Sequence, residues 1–234
     1  MKSVQLGSAV LVASLLSSTP GPQSRPRLAP TVQRWLIAPV NQHAEIEADS
    51  SVTDLQGRFG PANVTQARVD LGEGESADGT VIYANDPTLR VEIVWKDTSR
   101  HAPATARVRG KESKWGIAPG ITLGTSLKEI ERLNGRPFTL TGFAYDYSGT
   151  IIDWNDGRLA SLRSGLPHAF IRLEPDNAIA TPTNADYNDV LGDRDFSSNR
   201  EAMQRLNPRV YEFIVSFEPR GTGGLTATGT GPIR

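Results

Sequence analysis

Trp35-Leu36-Ile37-Ala38-Pro39 returns as Trp115-Gly116-Ile117-Ala118-Pro119, and each copy leads into a serine-led segment that ends in glycine. The segments are Ser51-Val52-Thr53-Asp54-Leu55 up to Gly60 and Ser126-Leu127-Lys128-Glu129-Ile130 up to Gly135. In each, the serine hydroxyl can accept from a free N–H of a first helical turn, and an acidic residue sits three places on. Val52, Leu55 and Phe59 then share one helical face, as do Leu127, Ile130 and Leu133. Gly60 before Pro61, and Gly135 shortly before Pro137, supply left-handed stops. The chain therefore reads as two tandem modules, each with a short helix lying on something.

What the helices lie on is a sheet. Leu89, Val91, Ile93 and Trp95 alternate with Arg90, Glu92, Val94 and Lys96, which turns one face to a core and the other to polar surroundings. Residues 63–71, 80–84 and 105–109 are further strand candidates in the first module; 138–147, 150–154, 158–162 and 169–173 match them in the second. Asn155-Asp156-Gly157 reads as a hairpin turn. A helix over 198–206 stops before Pro208, and a last strand turns Tyr211, Phe213, Val215 and Phe217 inward. The fold class is α+β: two tandem helix-plus-antiparallel-sheet modules, able to share one curved sheet.

At 234 residues, with 38% hydrophobic and 22% charged residues and a mean hydropathy of -0.35, the composition is that of a soluble globular chain. Twenty-five Lys+Arg against 26 Asp+Glu leave a net charge of -1, so no global field draws it to nucleic acid, and none is expected as a partner. The absence of cysteine removes disulfides, thiolate catalysis and Cys-ligated zinc. Lys2, the apolar or small run from Leu6 to Leu16, and Ser17-Ser18-Thr19-Pro20-Gly21 are the parts of a secretory signal. That run is shorter than the about 20 residues a membrane helix needs. The expected organisation is a signal peptide over 1–18, a linker over 19–33, modules over 34–113 and 114–219, and a tail over 220–234. Its localisation would be periplasmic or secreted, in a bacterium.

The stretch Gly120-Ile121-Thr122-Leu123-Gly124-Thr125-Ser126-Leu127-Lys128-Glu129-Ile130, followed by Gly135-Arg136-Pro137, resembles the tandem modules of the β-lactamase inhibitory protein and the small outer-membrane lipoproteins of the SmpA/OmlA type. The resemblance implies that fold and a non-enzymatic, binding style of function. The cysteines of both groups are missing here.

Little in the chain carries chemistry. His43, His101 and His168 show no metal-ligand spacing, and no nucleophile elbow is present, so no catalytic, cofactor-binding or metal-binding residue is assigned. The acidic stretch 70–79 lacks the spacing of a calcium loop and reads as a solvated loop between strands. Arg107, Arg109, Lys111 and Lys114 form a basic run on a strand edge, explained equally by edge protection and by binding. Phe143, Tyr145 and Tyr147 alternate and read first as a core stripe, and Trp35, Trp95, Trp115 and Trp154 as module core. Where they turn outward instead, Tyr145, Tyr147 and Trp154 are the candidate partner-binding residues, because Tyr and Trp anchor interfaces. The leading expectation is an exported binding protein that uses the solvent face of its sheet on a protein or envelope component. The alternative is a hydrolase for carbohydrate or peptide, with carboxylates such as Asp146, Asp153 or Asp156 at the module junction.

Overall fold

The computed structural model describes residues 37–39, 46–72, 74–117, 120–164 and 168–217. The ranges expected as signal peptide (1–18), linker (19–33) and tail (220–234), with Trp35 and His43, lie outside them. In chain order the elements are β1 (Ile37–Pro39), α1 (Val52–Phe59), a 3-10 turn (Pro61–Asn63), β2 (Val64–Gly72), β3 (Glu75–Ile82), β4 (Val91–Trp95), β5 (Pro103–Arg109), β6 (Trp115–Ile117), β7 (Ile121–Thr122) and α2 (Leu127–Asn134). There follow β8 (Thr139–Thr141), β9 (Ile151–Asp153), α3 (Ser161–Ser164), β10 (His168–Glu174), α4 (Ala185–Asp189), β11 (Asp195–Ser197), α5 (Glu201–Leu206) and β12 (Arg209–Ser216). The class is α+β with antiparallel sheets. A six-stranded sheet runs in the order β10-β12-β5-β4-β3-β2, beside two three-stranded sheets, β1-β6-β7 and β11-β8-β9. A Thr150–Arg172 bridge and a bond from Leu173 N to Gly149 O (2.9 Å) tie the last of these to the edge of the large sheet.

The repeated motif folds on itself. β1 pairs antiparallel with β6, and Ile37 stands opposite Ile117, its own counterpart in the other copy. Both helices begin as their sequences dictate. Ser51 Oγ accepts from Asp54 N (3.1 Å) while Asp54 reaches back to Ser51 N (2.8 Å). Ser126 Oγ accepts from Glu129 N (3.3 Å), but Glu129 turns to Arg132 instead of completing the box. Both stops have positive φ, 86° at Gly60 and 80° at Gly135. Only Gly135 is left-handed α, with ψ 4°; Gly60 has ψ 137°. The difference follows from Pro61, whose ring excludes α-type ψ from the residue immediately before it, whereas Arg136 separates Gly135 from Pro137.

The apolar alternation in the strands builds one core. Ile93 of β4, Ala106 and Val108 of β5, Ile171 of β10 and Phe213 and Val215 of β12 are buried with Leu55 and Phe59 of α1 and Leu127 and Ile130 of α2. Trp95 shares it, its Nε1 donating to Thr80 Oγ1 at 2.8 Å, and Trp115 lies against Phe59 with ring centroids 5.8 Å apart.

Four local expectations give way to tertiary context. The acidic stretch 70–79 is the end of a long β2–β3 hairpin, paired from Val64–Ile82 to Gly72–Glu75. Residues 158–160 are not a strand, because Asn134 takes them: its backbone O accepts from Arg158 N (2.8 Å) and its Oδ1 from Leu159 N (3.1 Å). α3 follows. Strand β8 ends at Thr141, and Phe143 makes one bridge before the chain turns, with φ 65° at both Ala144 and Gly149. A side chain at Gly149 would meet Leu173 O at 1.9 Å, so the turn fixes glycine there. Finally, Tyr211 does not point inward; it is the extra residue of a bulge where Arg172 pairs with Glu212 and Leu173 with Val210.

Candidate functional site

The polar members of the alternating strands meet on the second face of the six-stranded sheet. Register places Glu92 opposite Arg107, and Glu212 between Arg109 on one side and Arg172 on the other. Side-chain length then sorts them into two Arg–Glu–Arg triads. Glu92 accepts from Arg90 Nη2 at 3.0 Å on one oxygen and from Arg109 Nη2 at 2.9 Å on the other. Glu212 faces Arg107 Nε at 3.4 Å and accepts from Arg172 Nη1 at 3.2 Å. The two glutamates are only 7% and 5% exposed, and each lies between two guanidinium groups. Each triad keeps one net positive charge.

The same arginines brace the loops around this face. Arg90 donates to Ala84 O (3.0 Å), Arg107 to Asp70 O (2.5 Å) and Arg172 to Asp146 O. Arg109 differs: its other contact is a carboxylate, Asp70, at 3.5 Å, and it is 41% exposed. Burial opposes its charge, yet Glu92 holds its pKa above the ordinary arginine value. Arg172 lies over the Tyr211 ring at 5.6 Å. Burial pushes the Tyr211 phenol up to about 12, with Arg172 opposing and Glu212 adding to the rise.

The basic run expected at a strand edge is therefore misplaced: β5 lies between β4 and β12, and Arg107 and Arg109 are paired inside the sheet. The signal was present in the sequence as Glu92 and Glu212 on alternating strands, but which arginine meets which glutamate depends on strand order.

The aromatic candidates separate. Trp154 is 3% exposed and packs on Phe138 at 5.6 Å, because the chain turns after β9 and its carbonyl is held by Asn134 Nδ2 (3.0 Å). It is core, and no partner can reach it. Tyr145 and Tyr147 leave the expected stripe with the turn that follows Phe143. Tyr145 is half-buried; its hydroxyl is buried without a hydrogen-bond partner among the described residues, and burial raises its pKa. Tyr147 is 41% exposed. Its loop adjoins the charged face through the Arg172 bond to Asp146 O.

Asp146, Asp153 and Asp156 are all exposed, and Asp153 accepts from Asn155 N at 2.7 Å within its own turn. Asn155 and Asp156 have φ 51° and 58°, so the turn is real although no strand pairs after it. Among the described residues no group of three or more His, Asp or Glu side chains could hold a metal ion. His101 is exposed, and His168 is buried edge-on against Phe170 at 5.1 Å. No helix of the described residues is long and apolar enough to cross a membrane.

Compared with known families, with curated proteins and with solved structures, the chain matches none.

Proposed function

We propose that the protein is a non-enzymatic, exported binding protein that engages a protein or envelope component through the charged face of its six-stranded sheet. The observation that carries this reading is the pair of Arg–Glu–Arg triads, Arg90–Glu92–Arg109 and Arg107–Glu212–Arg172. They hold four guanidinium groups in place before any partner arrives, so less side-chain freedom is lost on binding. Arg and Tyr are the residue types that anchor interfaces, and Tyr147 on the adjoining loop supplies the aromatic. Tandem modules fit the same picture. The range 34–113 expected as the first module spans β5-β4-β3-β2, the range 114–219 expected as the second spans β10 and β12, and each range holds a serine-capped helix followed by glycine. The resemblance of Gly120 to Ile130 to inhibitor-like and lipoprotein modules points the same way, and the signal-like start at Lys2 supports export.

The test is capture from bacterial envelope extract with the full chain, Arg109→Ala and Tyr147→Ala as parallel baits. Both substitutions should lose the species that the unaltered chain retains. Tyr147→Ala should do so at a nearly unchanged thermal midpoint, since that side chain is 41% exposed. Arg109→Ala also takes one of two guanidinium partners from the buried Glu92 and should lower the midpoint, so capture is run well below both. Identical capture by all three baits would overturn the assignment of the face.

A further inference from the structure

The end of the β2–β3 hairpin occupies the triads. β2 is the edge strand and β5 lies three places away, beyond β3 and β4, yet Asp70 of β2 bonds to Arg107 and Arg109 of β5. The hairpin must fold back over the sheet to do this. Val69 is buried in the crossing, and a side chain at Gly79 would meet Val69 Cγ2 at 2.6 Å, so a glycine permits the close approach. At Asp70 the pairing with β3 slips, and Gly72 and Gly74, the latter at φ 79°, follow. The ladder is thus interrupted by an irregularity just beyond Asp70, although Asp70 pairs with Ser76 and Gly72 with Glu75.

What Asp70 presents to the two arginines is one backbone carbonyl, at 2.5 Å from Arg107 Nη1, and one carboxylate, at 3.5 Å from Arg109 Nη1. An acidic residue in any extended segment would present the same pair of groups. The contacts beneath are of a different kind. Glu92 is 7% exposed and meets Arg109 at 2.9 Å, whereas Asp70 and Arg109 are 56% and 41% exposed. A long, solvated ion pair exchanges at little cost; a short, desolvated one does not.

We propose that Asp70 is an internal stand-in for an acidic segment of the partner, so that the hairpin end covers the seat formed by Arg107 and Arg109 and lifts when that segment binds. This rests on the reading of the charged face as the binding surface and names the chemistry of its partner, a carboxylate-bearing extended peptide. It also gives the surface a built-in threshold, since a partner must outcompete a carboxylate that never diffuses away.

The experiment is fluorescence anisotropy of a labelled hexaglutamate peptide titrated with the full chain, with Asp70→Asn and with Arg109→Ala. Asp70→Asn should bind about two- to fivefold more tightly than the unaltered chain, the factor a surface ion pair can shift. Arg109→Ala should bind more weakly than either, and added salt should weaken binding by all three. Hydrogen exchange of the hairpin end should rise when the peptide is added to the unaltered chain. Equal or weaker binding by Asp70→Asn overturns the proposal, as does failure of both it and the unaltered chain to bind. The reading of the face then stands or falls separately, on whether Arg109→Ala still loses capture from envelope extract.

Discussion

The strands β4, β5 and β12 lie inside the six-stranded sheet, and their two faces are held by opposite means. On one face Ile93, Val108 and Phe213 are fully covered by other apolar side chains. On the other, Glu92 and Glu212 are almost as inaccessible, but what covers them is arginine. Apolar burial is non-directional and scales with area, so many arrangements of the first face would be stable. The second face works in only one. A slip of one residue in β5 would turn Arg107 and Arg109 into the core and bring Val108 against two glutamates. Desolvation consumes most of what the triads gain by attraction, so their contribution is to register and to fixed guanidinium geometry more than to net stability.

The largest break comes from the apolar face. Phe213→Ala should cost about 3–5 kcal/mol, the transfer term of a buried aromatic plus its cavity. It should appear in urea denaturation as a lower midpoint at unchanged slope. A loss below about 1 kcal/mol would mean that Phe213 lies in a site able to collapse, and the contrast between faces would weaken.

Glu212→Ala comes next, at about 2 kcal/mol, because it strips Arg107 and Arg172 of the carboxylate they share. Those arginines are 16% and 23% exposed, so water recovers part of the loss that a fully buried pair would suffer. If the variant is as stable as the unaltered chain, the triad is an incidental surface contact.

How much of each face could be read in advance differs for the same reason. Period-2 alternation in 89–96 and 213–217 places the apolar residues of β4 and the end of β12 with no knowledge of strand order, because every apolar residue needs only some core; the bulge takes Tyr211 out of that pattern. Arg107 and Arg109 need particular partners, and those stand in β4 and β12. Sequence proximity suggested a basic run at an edge; the sheet order made it the middle. The same limit explains Tyr145 and Tyr147. Their alternation with Phe143 is a strand signal, overridden by a turn through Ala144 and Gly149 that packs against β10. The helix caps at Ser51 and Ser126 were legible because they are local, while the reciprocal bond at Asp54 and its absence at Glu129 depend on whether an arginine stands three residues further on.

A smaller effect separates the faces by pH. Tyr211 sits above the charged face with its pKa pushed up to about 12. The unfolded phenol titrates near 10, so folding disfavours the tyrosinate. The stability this represents is fully present below about pH 10 and is lost as pH rises toward about 12. Tyr211→Phe should therefore lose stability less steeply than the unaltered chain between about pH 10 and about pH 12, and the tyrosinate absorbance that disappears should be the latest to develop. Parallel loss in the two proteins would show that Tyr211 is wetter than its burial beside Arg172 implies.

The smallest effect is the most discriminating. Asp70→Asn keeps the shape and removes one charge from a pair that is 3.5 Å apart and 56% and 41% exposed, so its stability should change by no more than about 0.5 kcal/mol at low salt. The difference should vanish at about 1 M salt, where the screening length falls to about 3 Å. Glu212→Ala should keep most of its deficit under the same conditions, because its carboxylate is sealed from ions as well as from water. A salt-resistant loss above about 1 kcal/mol for Asp70→Asn would place the hairpin end with the buried triads, as a clasp of the fold. It could not then lift to admit a partner's carboxylate, and the guanidinium groups of Arg107 and Arg109 would have no ligand but their own chain.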